Sequence, residues 1–173
     1  MRRFVLLAAA LLVAAFPAIA AELRLDVALT SGPHPEMRVV IRNLADVPIL
    51  IPYGALIGSR FYSFRFRPFV TTPGGQNHEL IDTGTPAAVG GRLDPLVVPL
   101  LPRASYAVEI PLTQFTIADT SENVETYIRK PGRLRVELDT RDAVCPLYGY
   151  PNPNMIQCWK GRLESNVLPL PPH

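Results

Sequence analysis

The strongest constraint on this chain is a two-residue period in side-chain polarity. Leu23, Leu25, Val27 and Leu29 alternate with Arg24, Asp26, Ala28 and Thr30. Met37, Val39 and Ile41 alternate with Arg38, Val40 and Arg42, and Tyr62, Phe64 and Phe66 with Ser63, Arg65 and Arg67. The same rhythm places Tyr106, Val108, Ile110 and Leu112 on one face, and Leu134, Val136 and Leu138 on another. Successive strand side chains point to opposite faces, so each run predicts a half-buried strand. Less regular runs at 47–51, 96–101 and 163–170 predict three more, whose prolines (Pro48, Pro99, Pro169) suit edges or bulges. Turn residues separate the runs at Ser31-Gly32-Pro33, Thr72-Pro73-Gly74-Gly75, Gly90-Gly91 and Lys130-Pro131-Gly132. Helical spacing occurs only over Thr120–Lys130, stopped by Pro131, which predicts two turns at most. Without a βαβ rhythm, the pattern implies an all-β, antiparallel sandwich of about seven to nine strands.

Residues 1–20 stand apart. Arg2 and Arg3 precede an apolar run, Phe4–Phe16, and Ala18-Ile19-Ala20 forms a small-x-small site. That layout predicts an export signal cut before Ala21, leaving residues 21–173 as one domain. The apolar run is short for a membrane span of about 20 residues and ends at Pro17, so no membrane attachment is expected after cleavage. The whole chain carries 17 basic and 15 acidic side chains; losing Arg2 and Arg3 leaves them equal. A neutral domain lacks the positive field that nucleic-acid binding exploits. The string from Arg60 to Arg67 interleaves aromatics with arginine, which can stack on single strands. Its period of two predicts a strand with one charged face instead.

Export implies an oxidising compartment, in which Cys145 and Cys158 are expected to pair. In the chain-entropy model a loop of that size is stabilised by about 3 kcal/mol. No histidine lies near them to complete a zinc site.

Three segments carry a family resemblance: Leu101-Pro102-Arg103-Ala104-Ser105-Tyr106 through Leu112, Lys130-Pro131-Gly132-Arg133-Leu134-Arg135-Val136, and Trp159-Lys160-Gly161-Arg162-Leu163-Glu164-Ser165-Asn166. Over roughly residues 100–170 the chain resembles exported bacterial immunoglobulin-like sandwich proteins. In those, a Pro/Gly turn precedes a Y-R-V-like strand and a W-x-G…S-N segment opens the last one. Arg103-Ala104 stands where a glycine turn is common, and Leu134 where an aromatic is common. The resemblance implies an immunoglobulin-like sandwich and no particular activity.

Few residues suggest catalysis. Leu80-Ile81-Asp82-Thr83-Gly84 resembles the Asp-Thr-Gly motif of aspartic proteases, where two carboxylates share one proton around a water. A single copy would require a homodimer. The later hydrophobic-hydrophobic-Gly match, Leu147-Tyr148-Gly149, runs into Tyr150-Pro151-Asn152-Pro153-Asn154, which cannot continue as the required helix. Turn chemistry between strands is the competing reading of Asp82. His34-Pro35-Glu36-Met37 offers one soft pair for copper, but Met37 also belongs to the apolar face of its strand. No G-x-S-x-G elbow or phosphate-cradling glycine loop occurs. Neither a cofactor nor a metal is expected.

The most individual segment runs from Cys145 to Cys158, followed by Trp159. Pro151 and Pro153 restrict its backbone, and the expected bridge ties its ends. A pre-ordered loop loses less entropy on binding, and tyrosines are enriched at binding hot spots. Tyr148, Tyr150, Asn152 and Trp159 are therefore the candidate contact residues, facing a protein or a cell-envelope glycan; in the competing reading the bridge only staples a long strand connection and Trp159 fills the core beside it. The functional expectation is a non-enzymatic binding or accessory module, periplasmic or secreted. A protease inhibitor using this loop and an aspartic-type hydrolase using Asp82 are the alternatives.

Overall fold

The computed structural model describes residues 23–32, 34–57, 60–62, 65–83, 94–117, 120, 122–143 and 157–170. Among these, thirteen strands appear in chain order: β1 (Leu23–Leu29), β2 (Glu36–Asn43), β3 (Ile49–Ile57), β4 (Arg60–Tyr62), β5 (Phe66–Thr71), β6 (Asn77–Asp82), β7 (Asp94–Leu100), β8 (Ser105–Pro111), β9 (Phe115–Ile117), β10 (Gly132–Asp139), β11 (Gln157–Cys158), β12 (Arg162–Glu164) and β13 (Leu168–Leu170). A 3-10 turn at Leu112–Gln114 and one helical turn, α1 (Val124–Tyr127), complete the described elements. The chain is thus all-β, as the period-two runs require. The Asn123 side chain caps α1 by accepting from the Glu125 N–H.

The strands form three sheets. The first is ordered β1-β2-β8. The second is ordered β12-β10-β5-β6-β9, with β13 also paired to β10. The third joins β11, β3 and β4, with β7 also paired to β3. Pairing between these strands is antiparallel except for β11, which lies parallel to β3. Their inward faces share one core. Leu25, Val39, Val108 and Val136 are 2%, 0%, 7% and 0% exposed, so the alternating positions point inward as expected. Burial at this density, rather than strand propensity, carries the fold, since each fully buried aliphatic side chain contributes about 1.5–3 kcal/mol.

Two expected strands are corrected. The run Tyr62–Phe66 does not continue as one element: β4 pairs with β3, whereas β5 pairs with β10 and β6. The run 163–170 divides into β12 and β13, which occupy opposite ends of β10. The strand count exceeds the expected seven to nine because β4, β9, β11, β12 and β13 are two or three residues long, too short for alternation to reveal. Pro99 and Pro169 lie on strands bonded on one side only among the described residues, in keeping with their missing donor.

Ser165 and Asn166 join the first sheet to the second. Ser165 donates its N–H to the Val136 carbonyl at 2.8 Å, and its hydroxyl accepts from the Val136 N–H at 2.9 Å. The Asn166 carboxamide then binds both backbone groups of Val27, accepting from its N–H at 2.7 Å and donating to its carbonyl at 3.2 Å. The amide thereby imitates a neighbouring strand on the edge of β1.

At Arg103 the backbone adopts φ 61°, the conformation a glycine would adopt without strain. The cost for a non-glycine residue is about 1–2 kcal/mol. Its guanidinium binds Asp46 through Nε at 3.0 Å and Nη2 at 2.9 Å. That contact ties the β7–β8 turn to the loop before β3.

Candidate functional site

The segment singled out by its tyrosines and prolines departs from a tightly built base. Thr140 follows β10 and is fully buried. Its N–H donates to the Gly161 carbonyl at 2.9 Å, and its hydroxyl donates to the Trp159 carbonyl at 3.0 Å while accepting from the Gly161 N–H at 3.1 Å. Ala143, three residues on, is buried and donates to the Thr140 carbonyl at 3.0 Å. On the returning side, β11 runs beside Ile49 and Leu50, and the Trp159 N–H donates to the Leu50 carbonyl at 2.9 Å. One threonine therefore holds both limbs together.

Trp159 departs from the contact reading and fits the one in which it fills the core. Grouped with the loop as a contact residue, it is 3% exposed and belongs to the core. The physical reason is Gly161: a Cβ there would lie 2.9 Å from Cζ2 of the Trp159 ring, so the bare backbone makes room for the indole. Trp159 anchors the base and presents no surface. Tyr148, Tyr150, Asn152 and Cys145 lie outside the described residues, as do Leu147 and Gly149. Cys158 is half-buried.

A second arrangement covers the outer face of β10, β5 and β12. Pairing sets Glu137 opposite Arg67 on one side and Glu164 on the other. Glu137 Oε1 binds Arg135 Nη1 and, at 2.5 Å, Arg162 Nη2. Glu164 lies 3.5 Å from Arg135 and 3.6 Å from Arg162. Arg67 grips Glu79 through two bonds of 2.7 and 2.9 Å, a fork that suits a planar carboxylate. Two guanidiniums lie over the Phe69 ring, Arg135 at 4.5 Å and Arg67 at 5.4 Å from its centroid. Alternation places Glu137 on the polar face of β10, yet its side chain is fully buried. Burial alone would raise its pKa, but hydrogen bonds from Arg162 and Arg135 hold it below the usual glutamate range. Among the described residues its Oε2 has no hydrogen-bond partner.

The Asp82 motif is divided between a strand end and a turn. Asp82 closes β6 opposite Phe115. Thr83 then donates its N–H and its hydroxyl to the Gln114 carbonyl, at 2.8 and 3.0 Å. Gly84 lies outside the described residues. The two members of the soft pair diverge: Met37 is fully buried in the core, whereas His34 is exposed and lies 3.3 Å from Glu125. Among the described residues no group of three His, Cys, Asp or Glu side chains is placed to hold a metal.

The ion-pair lattice is not evident in the sequence because its members span positions 67 to 164 and meet only through the pairing of β10 with β5 and β12 and of β5 with β6. The one local signal is the run Arg133, Arg135, Glu137 and Asp139 on a single face. Compared with known proteins, the chain matches no family model and no curated protein.

Proposed function

We propose that this protein is an exported, immunoglobulin-like binding module that presents residues 145–158 to a protein or cell-envelope glycan and performs no catalysis itself. The supporting observation is the base at Thr140, which clamps both limbs of the segment to a buried tryptophan. A loop held at a fixed base is pre-positioned, and its tyrosines would bind at a smaller entropic cost. The Cys145–Cys158 bridge would close the same loop a second time.

Affinity capture from the native cell envelope, with wild-type protein and a variant lacking Leu147–Gln157, tests the reading. The variant is first shown to keep the wild-type far-UV dichroism and cooperative melting. A partner held by the wild type and lost by the variant is expected; equal retention overturns the assignment. Thiol titration under denaturing, non-reducing conditions should find no reactive cysteine. Two titratable thiols would overturn the bridge.

A further inference from the structure

We propose that Arg133 forms the anchor of a small-molecule site that binds organic carboxylates, at the end of β10 away from Thr140. Two adjoining cavities, about 390 and 140 Å³, open here and share Thr71 and Arg133 in their walls. Thr72, Pro73 and Gly75 of the β5–β6 turn line the larger one, and Val167 and Leu134 line the smaller. The larger volume falls at the lower end of the range for ligand pockets, about 300–1,000 Å³, and suits a small molecule.

Charge identifies the ligand class. Along this face the neighbouring guanidiniums are neutralised: Arg67 by Glu79, Arg135 and Arg162 by Glu137 and Glu164 together, and Arg141 by Asp139 at 2.6 Å. Arg133 is exposed and has no ion pair or hydrogen-bonded partner among the described residues. No aspartate or glutamate lines either cavity among the described residues, so an anion entering meets no opposing charge. A guanidinium presents parallel N–H donors that match a carboxylate fork. Beside it, Val167 is 54% exposed and Pro73 adds a second apolar wall, which gives the organic part of the ligand somewhere to lie. Gly132 sets the geometry: a Cβ there would stand 2.8 Å from the Thr71 carbonyl, so only glycine lets β10 approach β5 this closely beside the cleft.

Arg133 stands seven positions from the Thr140 base, roughly 23 Å along β10, so failure of this site would leave the loop reading untouched. Chemical-shift titration of the purified protein with 3-phenylpropionate, acetate and inorganic phosphate tests it. Saturable shifts are expected at the amides of Thr71, Thr72 and Gly75, with 3-phenylpropionate binding at least fivefold tighter than acetate. Arg133→Gln should weaken 3-phenylpropionate at least tenfold, whereas Arg38→Gln on the first sheet should leave it unchanged. Val167→Ser, a change at an exposed position, should reduce the advantage of 3-phenylpropionate over acetate and leave acetate binding as it was. Non-saturable shifts, equal binding by Arg133→Gln, or phosphate binding tighter than 3-phenylpropionate would each overturn the proposal.

Discussion

Replacing Glu137 by glutamine tests whether the outer-face lattice stabilises the sheet. The substitution keeps shape and one carbonyl acceptor but removes the charge that Arg135 and Arg162 share. A hydrogen bond to a charged group contributes about 1.5–3 kcal/mol and a neutral one about 0.5–1.5, so each converted bond loses about 1 kcal/mol. Arg162 is 46% exposed, which screens its share, and the total loss is about 1.5–2 kcal/mol at pH 7. For a domain of this length, that lowers the melting temperature by about 3–8 °C. The pH dependence follows from the depressed pKa. A carboxyl with a folded pKa below its unfolded value contributes its full stabilisation above the unfolded value and loses it as pH falls through the folded one. The gap between wild type and Glu137→Gln should therefore be constant from pH 7 to 5 and close as the pH drops below about 4. Urea unfolding followed by tryptophan fluorescence at several pH values provides the measurement. A gap below about 0.5 kcal/mol at pH 7, within the range of ordinary surface changes, would refute the reasoning. So would a gap that persists undiminished at pH 2.5.

Other perturbations address the joints. Asn166→Ala removes both bonds to Val27 and should cost about 1–3 kcal/mol; it also bares the edge of β1, so faster aggregation should appear in light scattering. Gly161→Ala forces a methyl against the Trp159 ring and should destabilise by about 1–3 kcal/mol, with a shifted emission maximum as the readout. Asp139 is held at a pKa of about 2, chiefly by hydrogen bonds from the Arg141 side chain. Arg141→Gln should move its carboxyl titration, followed by NMR, upward towards the usual aspartate range; an unchanged midpoint would show that Arg141 does not control it.

Much of the architecture was legible in the chain. The runs at Leu23–Leu29, Met37–Ile41, Tyr106–Ile110 and Leu134–Leu138 alternate cleanly because one face of each strand meets the core and the other meets polar surroundings. The pattern weakened where that condition fails. Ile49, Leu50 and Ile51 are all buried, so β3 is covered on both faces and shows a continuous apolar run. In β6 only Leu80 is fully buried, which leaves too little contrast to mark a strand. The candidate site was legible in part: the composition of residues 145–158 marked them out and a core position for Trp159 was one of two readings, while the role of Thr140 followed only from what packs around it.

Periodicity by itself determined that this polypeptide forms pleated sheets, which side of each long strand turns inward, and where Pro and Gly interrupt it, because these properties depend on neighbours two residues away. The tertiary structure decided which strands lie side by side. Only that pairing could bury Glu137 among three arginines, set the Asn166 amide against Val27, seat an indole over Gly161 and leave Arg133 without a carboxylate among the described residues. These are encounters between distant positions, and their energies depend on distance and desolvation that no local pattern encodes.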